Sequence, residues 1–152
     1  MDSGAYGYND PKFSKDALSP GGNKIYSKGA GIPDAGAPST ISLSGEFTQP
    51  IGSIQSYIRA DFTHTSQWRR VGNLVSTAPF YDARLLPVPA YNQVNLRLGA
   101  RQNKFDLSLF VQNLTNARPA LELFAGGYYD PQDWQTYTLR PRTYGVTLAW
   151  RQ

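Results

Sequence analysis

The chain has 152 residues, a net charge of +4, 14 glycines, 11 prolines, ten tyrosines, one methionine and no cysteine, which excludes disulfides and thiolate metal sites. Its mean hydropathy of −0.45 and the absence of any apolar run near ~18 residues argue against transmembrane helices, but not against a transmembrane β-barrel, whose alternating strands average to a polar score. The basic residues are scattered rather than gathered into a stripe, which argues against nucleic acid as a partner.

The opening MDSGAYGYND lacks the basic-then-apolar pattern of a signal peptide. The expectation is either a cytoplasmic protein or part of an exported one. Residues 1–40 are rich in Gly, Pro, Asp and Ser and read as an irregular surface-loop segment. Lys24-Ile25-Tyr26 is a candidate short strand within it.

Alternation begins at Ile41. Ile41, Leu43, Gly45 and Phe47 share one parity, and Ser42, Ser44, Glu46 and Thr48 share the other. After a turn at Gln49-Pro50-Ile51-Gly52-Ser53, Ile54, Ser56, Ile58, Ala60 and Phe62 alternate with Gln55, Tyr57, Arg59, Asp61 and Thr63. Side chains of a strand turn to opposite faces with period 2, so each segment makes one apolar and one polar surface. A long connection, 65–90, carries Trp68, Arg69, Arg70, Phe80 and Tyr81.

The same design returns in YNQVNLRLGA and FDLSLFVQ, joined by the polar link Arg101-Gln102-Asn103-Lys104. A second long connection, 114–141, contains Gly126-Gly127-Tyr128-Tyr129 and Trp134. A last alternating strand follows, with Tyr144, Val146, Leu148 and Trp150 on one parity.

The fold class is all-β: an antiparallel meander of about five strands, near 41–49, 54–64, 91–101, 104–113 and 142–150. Its connections alternate short and long, as turns and surface loops do in outer-membrane barrels. Each strand is about nine to eleven residues, enough to cross a bilayer when tilted. Phe47, Phe105 and Trp150 stand toward the short turns, and Phe62 and Tyr144 toward the long loops, where aromatic girdles belong. Glu46, Arg59, Asp61, Arg97 and Asp106 all fall on the polar parity. That side would be hydrated in a barrel, whereas an Arg facing lipid at mid-membrane costs ~2–4 kcal/mol. The alternative is a stand-alone soluble β-sandwich that binds a ligand through its aromatic loops.

Four stretches carry a family resemblance: Pro33-Asp34-Ala35-Gly36-Ala37-Pro38 before ISLSGEFTQP, then QSYIRADFTHTSQW running out to a loop. The hairpin ending in Asn113-Leu114-Thr115-Asn116 comes next, and Arg140-Pro141-Arg142-Thr143-Tyr144-Gly145-Val146 leads into the final strand. In this order they resemble the C-terminal β-barrel segment of a TonB-dependent outer-membrane receptor, with Asn113, Leu114, Pro141, Arg142, Tyr144 and Gly145 as the motif residues.

The resemblance implies a barrel of the ~22-stranded type with a plugged lumen. It also implies a bacterial outer-membrane location and uptake of a scarce solute, such as a ferric siderophore, cobalamin or a carbohydrate. The implied partners are outer-membrane lipid, the N-terminal plug, the remaining barrel strands, the TonB system and the small-molecule solute. There are two departures. Trp150 is followed by Arg151 and Gln152, where the family commonly ends on an aromatic residue. The chain also carries no plug, TonB box or other barrel strands, so it is expected to be a C-terminal fragment.

No nucleophile–base arrangement is legible, so no enzyme activity and no cofactor are expected. His64 lacks metal-ligand partners at a defined spacing and reads as a residue at the rim of the apolar face. Asp130 and Asp133 read as turn-capping groups. Asn113-Leu114-Thr115 fits a glycosylation sequon that carries no weight at a strand end, and Gly126-Gly127 precedes no phosphate-binding helix. The candidate ligand contacts are Trp68, Arg69, Arg70, Tyr81, Tyr128, Tyr129 and Trp134, since aromatic rings beside arginines suit an anionic or carbohydrate solute.

Overall fold

In a computed structural model of the chain, the described residues are 2–32, 35–68, 87–125 and 134–150. They form β1 (Ser3–Tyr8), β2 (Ala17–Leu18), β3 (Lys24–Tyr26), β4 (Ser39–Ile51), β5 (Ile54–Thr65), β6 (Tyr91–Gln102), β7 (Phe105–Gln112), β8 (Glu122–Ala125), β9 (Trp134–Tyr137) and β10 (Thr143–Trp150). Among the described residues no helix occurs.

One six-stranded sheet runs in the order β1-β4-β5-β6-β7-β10, with β2-β3 and β8-β9 as separate two-stranded ribbons. Every pairing in the sheet is antiparallel. The meander expected from the sequence is therefore present, with one strand more than the alternation predicts. That strand, β1, lies in the segment read as irregular. Its Gly and Ala content hides the strand pattern, yet Tyr6 pairs with Ile41 and Gly4 with Leu43 along the free edge of β4.

The register sets like beside like. One row crosses the sheet as Phe47, Ile58, Leu98, Leu109 and Val146, and a second as Leu43, Phe62 and Val94. A slip of one residue would turn a whole strand's apolar set onto the polar face, so these rows hold the register.

Strand boundaries differ from the sequence reading by one or two residues. β4 continues through Pro50 to Ile51, leaving Gly52-Ser53 as the turn, and Gly52 has the left-handed φ of 61° that two-residue hairpin turns need. Pro50 pairs with Gln55, one step from the closing pair Ile51↔Ile54. Antiparallel alternation then points its nitrogen away from β5, on a flank that β1, paired only as far as Ser44, does not cover. β6 runs one residue past the expected 101, to Gln102, with Arg101 opposite Asp106, and Asn103 takes the left-handed φ of 52° in the turn.

The short turns, 52–53 and 103–104, lie at one end of the sheet, and the chain leaves and rejoins the sheet for the connections 9–38, 66–90 and 113–142 at the other. Each long connection is tied at its base. The Asn9 N–H donates to Pro38 O at 2.8 Å, and Trp68 and Val88 exchange backbone hydrogen bonds of 3.1 and 2.9 Å.

Burial is inverted relative to an ordinary domain. The apolar face is open: Val146 is 64% exposed and Leu148 68%, and Leu43, Phe47, Leu98, Phe105, Leu107 and Leu109 are likewise exposed. The buried sheet residues are on the polar parity, with Tyr57 4% exposed and Ser108 2%.

Candidate functional site

Two clusters emerge, one on the polar face and one at the base of the last long connection. On the polar face, β5, β6 and β7 bring Tyr57, Arg101 and Asp106 together. The Tyr57 hydroxyl donates to Asp106 Oδ1 at 3.0 Å and Arg101 Nε to Asp106 Oδ2 at 3.1 Å, while Arg101 Nη1 reaches Glu46 Oε1 at 3.4 Å. The Arg101 guanidinium sits 4.0 Å from the centre of the Tyr57 ring, the flat stacking that guanidinium allows and ammonium does not.

Tyr57 lies across Gly99, its pair on β6, and Phe110 across Gly145, its pair on β10; a methyl group at either glycine would collide with the ring. Such ring-over-glycine pairs fill the gap that a glycine leaves in a sheet. Beside them, Arg59 grips Asp61 with its closest contact at 2.9 Å, and Arg97 Nη1 donates to the Ser108 hydroxyl at 3.0 Å. The result is a shallow polar hollow of about 450 Å³ in which positive and negative groups alternate.

The second cluster joins the two motifs at the end of β7 and the start of β10. Asn113 is 2% exposed and has a φ of 51°, a left-handed conformation that asparagine tolerates better than most residues. Its backbone N–H donates to Asn95 Oδ1 at 2.9 Å. The Leu114 N–H donates to Val94 O at 2.8 Å, and the Thr115 hydroxyl to Asn92 O at 3.1 Å. Asn116, with a φ of 52°, accepts the Arg142 N–H at 3.1 Å, and Arg142 Nη1 reaches Leu114 O at 3.3 Å. Pro141 O accepts the Thr143 hydroxyl at 2.9 Å, and the Arg142 guanidinium lies 5.8 Å from the centre of the Tyr144 ring. The motif residues Asn113, Leu114, Pro141, Arg142, Tyr144 and Gly145 thus lie around one strand junction, which the hydrogen bonds of Asn113, Leu114, Pro141 and Arg142 brace.

No family model, curated protein or solved structure matches the chain.

Of the loop candidates, Trp68 is placed beside Tyr91, ring centres 6.4 Å apart. It lines a cleft of about 440 Å³ with Gln67, Asn9, Asp10, Lys12 and Ile32. Trp134 begins β9 opposite Ala125. Arg69, Arg70, Tyr81, Tyr128 and Tyr129 lie outside the described residues, as do Asp130, Asp133 and the Gly126-Gly127 pair. His64 Nδ1 is 2.8 Å from Asn92 Oδ1, its cross-strand pair at the loop end of the apolar face. Among the described residues no cluster of His, Asp or Glu is arranged to hold a metal ion.

Sequence reasoning missed the Tyr57–Gly99 and Phe110–Gly145 pairs and the role of Asn95. The signal available was a glycine and an aromatic residue on the polar parity of neighbouring strands, and only the register shows that they stand opposite each other.

Proposed function

We propose that the chain is a wall segment of an outer-membrane β-barrel of the TonB-dependent receptor type, acting in uptake of a scarce solute such as a ferric siderophore, cobalamin or a carbohydrate. The observation that carries this reading is the inverted polarity of the sheet. Apolar side chains stay exposed on all six strands of one face, Tyr6 and Tyr8 on β1 included, while ion pairs and hydroxyl contacts fill the other. In water an open apolar face this wide is a liability. Against lipid it is the ordinary exterior of a barrel, and the charged face is the ordinary interior.

A soluble sandwich would need a second layer over the apolar face, and among the described residues nothing covers Leu98, Leu109 or Val146. The two outer strands support the same reading. Among the described residues nothing pairs with the outer edges of β1 and β10, and neither strand carries a Lys, Pro or bulge that would block further pairing. The remaining barrel strands would add there, the plug would face the polar side, and the aromatic loops would meet the solute.

The test is Leu109→Arg, in the middle of the apolar face, compared with Gln112→Arg, exposed on the opposite face of the same strand. In lipid vesicles Leu109→Arg is expected to lower stability by ~2–4 kcal/mol, the cost of an arginine at mid-membrane. A chain that stays monomeric without detergent and tolerates Leu109→Arg would sink the proposal.

A further inference from the structure

The polar face holds one cross-strand pair that a sheet does not favour. Arg59 on β5 stands directly opposite Arg97 on β6, and like charges facing each other across strands destabilise the pairing. The surroundings of the two arginines differ. Arg59 has its counter-charge, since its Nε and Nη2 hold both oxygens of Asp61 at 2.9 to 3.2 Å. Arg97 donates instead to the Ser108 hydroxyl at 3.0 Å, with its guanidinium 5.5 Å from the centre of the Phe110 ring. Among the described residues the ion pairs of this face leave Arg97 out.

Space for a counter-ion lies beside it. A hollow of about 140 Å³ has Asp61, Asn95, Arg97 and Phe110 in its lining. Asn95 Oδ1 accepts the Asn113 N–H at 2.9 Å, so the side-chain nitrogen is the end of that amide left to donate. Arg97 is half-buried, and a charge set against it is screened less than one at an open surface. Asp61 borders the same hollow with its oxygens engaged by Arg59. A doubly charged anion such as phosphate would meet its repulsion, whereas a single charge is matched by Arg97. The guanidinium fork also fits the two oxygens of a carboxylate in one plane.

We propose that Arg97, together with the Asn95 side-chain amide, is a binding site for one carboxylate group on the polar face. The incoming carboxylate supplies the negative charge that the Arg59–Arg97 pair lacks. Its source is either an acidic side chain of a segment lying over this face or a small free carboxylic acid, and the chemistry is the same for both. The site is built from the polar face alone, so its failure would leave the lipid reading of the other face standing.

Titration of the chain in detergent micelles tests it, read by NMR at the arginine Nε–H and Asn95 side-chain amide signals, with sodium chloride at equal ionic strength as the reference. Acetate is the probe for a free acid, and N-acetylglutamate N-methylamide the probe for an acidic side chain carried on a backbone. Acetate is expected to shift the Arg97 and Asn95 signals saturably. The Nε–H signals of Arg59 and Arg101, already bonded to Asp61 and Asp106, should move little. In Arg97→Gln the affinity read at Asn95 should fall roughly ten- to a hundredfold, the size of losing a hydrogen bond to a charged group, while unchanged Arg59 and Arg101 signals show that the face is intact. Binding of the glutamate derivative at least as tight as acetate assigns the site to a side chain of a covering segment, and weaker binding assigns it to a free acid. Failure of both probes to saturate the Arg97 signal overturns the site. So do equal shifts at all three arginines, or an affinity unchanged in Arg97→Gln.

Discussion

Tyr57 and Gly99 show how much of this sheet rests on single side chains. Gly99 is needed because the Tyr57 ring occupies the space above it, and the ring in that position delivers its hydroxyl to Asp106. Gly99→Ala is therefore expected to lower stability by about 1–3 kcal/mol, the usual cost of overpacking, and to break the Tyr57–Asp106 hydrogen bond. Gly7→Ala, which meets open space, should be close to neutral. Denaturant midpoints of the two variants in detergent check the contrast. Arg101→Lys should also cost stability, by about 1 kcal/mol, because lysine cannot both stack on Tyr57 and reach two carboxylates. A double-mutant cycle with Tyr57→Phe measures the coupling. Parity along the sequence assigned Tyr57, Arg97 and Asp106 to one face, but period 2 says nothing about which residue lies across the strand. Tyr57 over Gly99 and Arg101 against Asp106 become visible only with register.

At the scale of the element, the strands with branched apolar alternation were legible, and β1 was not. Its sequence SGAYGY lacks the β-branched residues that mark a strand, and it forms because the edge of β4 offers backbone partners and a row for Tyr6. Tertiary context outweighs propensity there. The β2-β3 ribbon was legible only as Lys24-Ile25-Tyr26. Its support comes from Phe13 stacked on Tyr26, ring centres 4.5 Å apart, and from Asp16. Asp16 Oδ1 accepts the Lys28 N–H at 2.7 Å, and Oδ2 lies 3.3 Å from Lys24 Nζ. The Lys28 backbone N–H, and then Lys24, hold the Asp16 carboxyl below the usual carboxylate range. A carboxylate whose pKa is depressed on folding contributes stability above its unfolded pKa and loses it as pH falls through the folded value. The Lys28 amide is accordingly expected to lose protection on acidification below the ordinary carboxylate range, and Asp16→Asn should lose it at neutral pH. Exchange of that one amide as a function of pH checks both.

For the whole molecule, the polarity of the two faces was readable from alternation alone, because a strand obliges its neighbours to follow the same rule. The polar braces at Asn113 and Asn116 were not readable, since they join positions on separate strands and loops. If the apolar face meets lipid, Trp150, exposed beside Phe105 at the turn end of that face, should be quenched by brominated acyl chains. The quenching should fall in Trp150→Phe by the share that Trp150 contributes. Steady-state fluorescence in vesicles measures it, and equal quenching in the parent and Trp150→Phe would count against lipid contact at this face.

The antiparallel order of the sheet has one further consequence, and it is arithmetical. Six strands that each reverse their neighbour leave β1 and β10 running in opposite directions. Any set of strands that closes this sheet into a ring without a parallel pair must itself be even in number. A completing piece with an odd count would force a parallel seam, either within that piece or where it joins β1 or β10.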